Sequence, residues 1–192
     1  MKNITAKFIK GITGPDPILS DGLPQVAFIG RSNVGKSSII NSLVNSKVLV
    51  KVSPRPGKTT EINFFKINGA FYLVDLPGYG YARTGPAERE QLLNLILWYL
   101  KSSGVQSLEV VLILDVKAGL TNFDEEIISV LQHYKHSFVI VANKIDKLNQ
   151  KELAAQLKQI HTKAGDAEVV PCSTVTEGGI NKLEDRLFER AA

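Results

Sequence analysis

Five short apolar runs punctuate this chain: Val26-Ala27-Phe28-Ile29, Phe71-Tyr72-Leu73-Val74, Val110 to Leu114, Phe138 to Ala142 and Val169-Val170. Most are too apolar for a strand with one wet face. Continuous apolar strands belong to parallel sheets covered by helices on both sides. Apolar residues recur at helical spacing in Ile127, Leu131 and Tyr134, in Leu153, Leu157 and Ile160, and in Ile180, Leu183 and Leu187. Asn149 with Glu152 three residues on predicts a helix start. Strands alternating with helices predict a three-layer α/β domain with a mostly parallel sheet of six to seven strands. Ile62 to Val74 is the exception. There Asn68-Gly69 separates two strand-like runs, a hairpin signal that predicts one antiparallel strand.

Residues 22–192 are read as one domain, and residues 1–21 as an extension or edge strand. The dense apolar stretch Leu92 to Leu100 falls far short of the ~18–20 residues of a membrane span. The N-terminus carries Lys2, Lys7 and Lys10 but no apolar core of signal-peptide length. The expectation is a cytoplasmic monomer without a membrane partner. The single Cys172 excludes an internal disulfide framework and a multi-cysteine zinc site. His133 and His136 are read as solvated. A net charge of +4 permits an RNA partner without requiring one.

In open α/β sheets ligands bind at the C-terminal strand ends. After the first run comes Gly30-Arg31-Ser32-Asn33-Val34-Gly35-Lys36-Ser37, which fits G-x-x-x-x-G-K-[ST] and continues with Ser38. Its glycines let successive amides wrap a β-phosphate. The helix beginning near Lys36 adds its positive dipole end. Lys36 is expected to bridge β- and γ-phosphates, and the Ser37 hydroxyl to hold Mg²⁺. The apolar residues Ile39, Ile40, Leu43 and Val44 that follow support the helix.

Asp75-Leu76-Pro77-Gly78 ends the hairpin. A carboxylate there can hold Mg²⁺ through water, and the Gly78 amide can approach a γ-phosphate unobstructed. Asn143-Lys144-Ile145-Asp146 follows the fourth run. The Asp146 carboxylate can accept from guanine N1–H and the 2-amino group, donors adenine lacks there. A site built on such bonds rejects the analogue by ~10⁴–10⁵. Asn143 ties this loop to the phosphate loop or reaches the base edge, and the Lys144 stem covers the base. In Cys172-Ser173-Thr174 a backbone amide meets guanine O6, Ser173 braces the turn, and Thr174 stands where alanine is usual. Cys172 is read as a buried small residue. A small-molecule kinase has no need of the guanine reader, so that class is set aside.

The order of motifs resembles the translation-factor-related P-loop GTPases, and more closely the bacterial EngB (YihA/YsxC) family. The resemblance is carried by residues 30–38, Pro56-Gly57-Lys58-Thr59, the run Asp75 to Ala82, and Asn143 to Asp146. It covers the chain from about Gln25 onward. It implies GTP or GDP as ligand, Mg²⁺ held by Ser37, Thr59 and Asp75, and low basal GTP hydrolysis. It also implies a role in large ribosomal subunit assembly and in cell division and septation. Gly57, Lys58, Thr59, Thr60 and Glu61 are placed in the first switch, where Pro54 and Pro56 forbid a regular helix and Gly57 adds freedom. Thr60 competes with Thr59 for the metal.

Lys36, Thr59 and Gly78 are the candidate catalytic residues. Small GTPases place a water-orienting glutamine just after D-x-x-G. Tyr79 occupies that position here and cannot do this, which predicts slow hydrolysis. Relatives with asparagine at Asn33's position bind K⁺, so K⁺ is a second cofactor to test. Lys51, Arg55, Lys58 and Arg31 fit RNA contact and a solvated loop equally, and it is the ribosomal resemblance that favours rRNA as the partner. The alternative is a nucleotide-dependent binding module for division proteins, with hydrolysis incidental. The helix Pro86 to Lys101, apolar on more than one face, is expected to be buried rather than partner-facing.

Overall fold

The computed structural model describes residues 4–46, 49, 60–80, 85–105 and 107–191. The strands are β1 (Ala6–Ile12), β2 (Gln25–Gly30), β3 (Ile62–Ile67), β4 (Phe71–Asp75), β5 (Leu108–Asp115), β6 (Ser137–Asn143) and β7 (Glu168–Pro171). The helices are α1 (Lys36–Leu43), α2 (Pro86–Ser102), α3 (Asn122–His133), α4 (Gln150–Ala164) and α5 (Ile180–Ala191).

The strands form one sheet in the order β1-β3-β4-β2-β5-β6-β7. Every pairing from β4 to β7 is parallel, and β3 is antiparallel to both β1 and β4. A single reversed strand thus makes both antiparallel contacts, as the hairpin signal predicts. Asn68 and Gly69 both have positive φ, 50° and 72°. That is the sign required of a primed hairpin turn. Ala70 N–H closes the turn on the Ile67 carbonyl at 2.9 Å. Pairing starts at Ile67 with Phe71, so Ala70 is one residue more than a two-residue loop contains. Asn68 also accepts from Thr5 N–H at 2.8 Å, which pins β1 to the hairpin tip.

The apolar strands separate their side chains by parity. Val26, Phe28, Val111, Ile113, Val139, Val141 and Val170 face one layer with Ile39, Ile40 and Leu43 of α1 and Ile180, Leu183 and Leu187 of α5. Ala27, Ile29, Val110, Leu112, Leu114, Ile140 and Ala142 face the other, with Ile96, Tyr99, Ile127, Leu131 and Ile160 from α2, α3 and α4. Both faces are dry, which is why the strands carry no alternation. Leu92, Ile96, Tyr99 and Leu100 of α2 are buried, and Leu95, Leu97 and Trp98 pack partly buried against the same core.

Two local expectations change. Tyr134 caps α3 and is 45% exposed instead of joining its apolar stripe. His136 lies beyond that helix, with Nε2 2.6 Å from the Leu100 carbonyl oxygen, so it is not simply solvated. Asn149 and Glu152 form the reciprocal cap of α4 at 2.9 and 3.0 Å. Among the described residues no helix is long and apolar enough to cross a membrane.

Candidate functional site

The phosphate loop runs from the end of β2 to the first turn of α1. Its turn is held by Asn33 at φ 67° and Gly35 at φ 100°, the left-handed region where a side chain is costly. A Cβ on Gly35 would lie 2.4 Å from Asn143 Nδ2, and one on Gly30 would lie 2.7 Å from the Ile113 carbonyl oxygen. The glycines are therefore required by close packing on β5 and β6 as well as by the turn itself.

The loop is bound to its neighbours on both sides. Toward β4, Leu76 N–H donates to the Phe28 carbonyl at 3.1 Å, Tyr79 N–H to Gly30 at 3.4 Å, and Ser32 N–H to Tyr79 at 2.9 Å. Gly78 lies between these bonds, and a Cβ there would come within 3.0 Å of Ser32 Oγ. Toward β6, Asn143 Nδ2 donates to the Val34 carbonyl at 2.7 Å. Lys144 Nζ donates to the Asn33 carbonyl at 2.7 Å and to Asp115 Oδ2 at 2.6 Å. Of the two roles open to Asn143, the structure shows the tie to the phosphate loop.

The Lys36 ammonium forms an ion pair with the Asp75 carboxylate. Both side chains are largely buried, at 10% and 2% exposure. Two buried opposite charges at the mouth of β2 and β4 leave a cation that an incoming phosphate can attract away from its partner. Ser37, on the first turn of α1, and Asp75, at the end of β4, supply a hydroxyl and a carboxylate. Those hard oxygen donors fit Mg²⁺.

Farther along the strand ends, the Ser173 hydroxyl donates to Asp146 Oδ1 at 2.6 Å. Ser173 Oγ in turn accepts from Val175 and Thr176 N–H, both at 3.2 Å. The Ser173 bond, with lesser help from Lys147, lowers the Asp146 pKa below the ordinary 3.8. Asp146 is thus held as an acceptor. Its loop joins the β7 loop through Ile145 N–H to the Cys172 carbonyl at 3.3 Å. Cys172 is buried, and desolvation pushes its thiol up to about 11. Thr174 is half-buried beside it.

The candidate residues fall into three groups. Gly30 to Ser38, Asp75 to Gly78, Asn143, Lys144, Asp146, Cys172, Ser173 and Thr174 line successive C-terminal ends of β2, β4, β6 and β7. Thr60 and Glu61 are exposed. The Glu61 carboxylate lies over Gly11 of β1, where any Cβ would collide with it. Gly11 pairs with Asn63, and Asn63 with Asp75, so Glu61 is two strands, roughly 10 Å, out from Asp75. Gly57, Lys58 and Thr59 lie outside the described residues, as do Lys51 and Arg55.

Two acidic residues escape the motif reading. Asp115 ends β5 and holds Lys144 while its Oδ1 accepts from Lys117 N–H at 3.0 Å. An acid closing a buried strand beside the phosphate strand was a usable signal. Asp124 is fully buried and accepts from Tyr79, 45 residues away. Only its capping pattern with Thr121 is visible in the sequence.

Comparison with known proteins identifies the family. Residues 25–144 match the family described as 50S ribosome-binding GTPase, and residues 101–192 match the elongation factor Tu GTP binding domain. The chain is 40% identical over 192 residues to the probable GTP-binding protein EngB of Clostridium perfringens, covering 98% of this chain and 97% of the relative. It is 36% identical over 186 residues to that of Alkaliphilus oremlandii, covering 95% and 89%. A crystal structure of a probable GTP-binding protein EngB superposes with a TM-score of 0.74 at 24% identity, covering 87% of this chain and 98% of that one. Era from Aquifex aeolicus shares the fold with a TM-score of 0.69 at 23% identity, covering 88% of this chain and 56% of that one. With a phosphate loop at β2, a carboxylate at β4, an N-K-x-D loop at β6 and relatives this similar along nearly their whole length, the chain belongs to the EngB family of P-loop GTPases.

Proposed function

We propose that this protein is a guanine-nucleotide switch that hydrolyses GTP slowly and assists assembly of the large ribosomal subunit. The observation that carries the nucleotide reading is the bonding of the Asn143–Asp146 loop to the phosphate loop. Asn143 to Val34 and Lys144 to Asn33 set the base reader and the phosphate cradle in one rigid frame. In that frame Asp146 accepts guanine N1–H and the 2-amino group. The Cys172–Thr174 backbone meets O6, and the loop amides of residues 30–38 surround the phosphates.

For hydrolysis, Lys36 leaves Asp75 and stabilises the charge on the β- and γ-phosphoryl oxygens. Gly78 N–H donates to the γ-phosphate, and Thr59 adds a hydroxyl from the first switch. Ser37 and Thr59, with Asp75 through water, would hold Mg²⁺, which would supply neutralisation of phosphate charge. No side chain at position 79 orients the attacking water, because Tyr79 is buried with its hydroxyl on Asp124. Slow turnover by the isolated protein follows, and rapid turnover would refute it. K⁺ beside the phosphates at Asn33 would act where an arginine finger acts elsewhere. Hydrolysis faster in KCl than in NaCl supports this, and equal rates remove it.

The ribosomal reading is supported by the family description, 50S ribosome-binding GTPase, and by the cationic residues of the first switch. Its test is co-sedimentation with purified large ribosomal subunits, comparing GDP with a non-hydrolysable GTP analogue at moderate salt. Tighter binding with the analogue supports the switch. Absence of binding in both states transfers the role to division proteins and leaves the nucleotide site as described.

A further inference from the structure

Three polar side chains meet in the interior, just behind the phosphate contacts. The Tyr79 hydroxyl donates to Asp124 Oδ1 at 2.7 Å. Arg31 Nε lies 3.4 Å from Asp124 Oδ2, with the Asp124 side chain fully buried. Arg31 also donates through Nη2 to the Gly119 carbonyl at 3.4 Å. Arg31 belongs to the phosphate loop, Tyr79 follows Gly78, and Asp124 is the third residue of α3. One carboxylate therefore takes hold of both segments that face a γ-phosphate.

The two carboxylate oxygens divide the work. Oδ2 accepts from Thr121 N–H at 2.9 Å and Thr121 Oγ1 at 2.7 Å, which closes the helix cap, and it faces Arg31. Oδ1 is left for Tyr79. A helix cap needs only the first oxygen. The second fixes a side chain whose backbone is already bonded to Gly30 and Ser32. Burial and the Asp124 charge raise the Tyr79 pKa well above its usual value, so the phenol stays a donor. Gly78, the next residue back, lies so close to the loop that an added Cβ would come within 3.3 Å of Ser32 Cα and N.

We propose that Asp124 is a positioning residue for recognition of the γ-phosphate: by holding Tyr79 and Arg31 together it sets the Gly78 amide against the phosphate loop. The proposal rests on Gly78 as the γ-phosphate contact. GDP lacks that phosphate, so the latch acts on triphosphate affinity and leaves diphosphate affinity alone. A role limited to packing or capping would lower stability and affect both nucleotides alike.

The test compares fluorescent GDP with a fluorescent non-hydrolysable GTP analogue on the full chain, with thermal unfolding measured in parallel. Tyr79→Phe removes one hydroxyl and keeps the ring. Thr121→Ala weakens the same cap and leaves the Tyr79 bond in place. Gly78→Ala tests the underlying contact. The expected result is a loss of about tenfold in analogue affinity for Tyr79→Phe, with GDP affinity within twofold. Thr121→Ala should lower the unfolding temperature without changing the ratio of the two affinities. An equal change of ratio in Thr121→Ala and Tyr79→Phe would overturn the latch. So would a ratio altered by Gly78→Ala but not by Tyr79→Phe, and in that case the γ-phosphate contact stands. A ratio altered by Tyr79→Phe alone overturns the route through Gly78. A ratio unmoved by all three overturns the Gly78 contact and the latch with it.

Discussion

The two ends of the nucleotide cleft are built differently. At the base end the recognition groups already have their partners: Ser173 on Asp146, Asn143 on Val34, and Lys144 on Asn33 and Asp115. At the phosphate end the main cation is engaged with Asp75, which a triphosphate must displace. In the proposed function, base selectivity is thus preorganised during folding, and phosphate binding is coupled to exchange of a buried ion pair. A preorganised reader discriminates sharply, because a wrong base leaves fixed acceptors unpaired. An exchanging ion pair responds to ligand charge, which suits the proposed switch.

The strongest challenge to this contrast is Asp146→Asn. It should lower GTP affinity by ~10⁴-fold and bring xanthosine triphosphate into its place, as read by nucleotide competition. Unchanged preference would mean that the base reader lies elsewhere. Lys36→Ala comes next. It strands the buried Asp75 carboxylate without its cation, at a cost of about 3–5 kcal/mol in stability. Urea unfolding of the nucleotide-free protein measures that, alongside loss of triphosphate binding. A variant as stable as the parent would show that the ion pair contributes nothing at rest.

Gly179→Ala probes the base end mechanically. Gly179 has φ 77°, and a Cβ there would lie 2.1 Å from the Pro171 carbonyl oxygen. The strain should cost about 1–3 kcal/mol and displace the Ser173 loop. A lower unfolding temperature with weaker guanine-nucleotide binding is expected. Ser173→Ala has the smallest effect and is read in acid. The folded Asp146 pKa lies below 3.8, chiefly through the Ser173 bond. Its ionised form is therefore fully present above 3.8, and guanine binding that needs it is lost as pH falls through the lower folded value. Removing the hydroxyl should move that acid limb of GDP binding to higher pH. An unmoved limb would show that Ser173 does not hold the carboxylate.

Much of the cleft was legible because its parts are local. A phosphate loop needs glycines at fixed spacing, and the positive φ of Gly35 is a local demand of the turn. The Asn68-Gly69 turn demands positive φ at two successive residues, so it shows in the sequence. The α4 cap was readable for the same reason, since Asn149 and Glu152 are one turn apart. Tyr134 misled because helical spacing continues past the point where α3 stops. His136 misled because its partner, the Leu100 carbonyl, belongs to a different helix 36 residues earlier.

Residue order alone therefore settled the three-layer sheet, its reversed strand and the family, and it supplied the loops proposed to meet a nucleotide. Each depends on periodicity, turn chemistry or a motif written in a few adjacent residues. Only the tertiary structure decided that Asp115 holds Lys144, that Glu61 lies over β1, and that Asp124 grips Tyr79 and Arg31. Those contacts join residues 29 to 93 positions apart, and the packing of strands and helices brings them together. No local spacing encodes them, because charged side chains choose partners by where the folded elements place them in space.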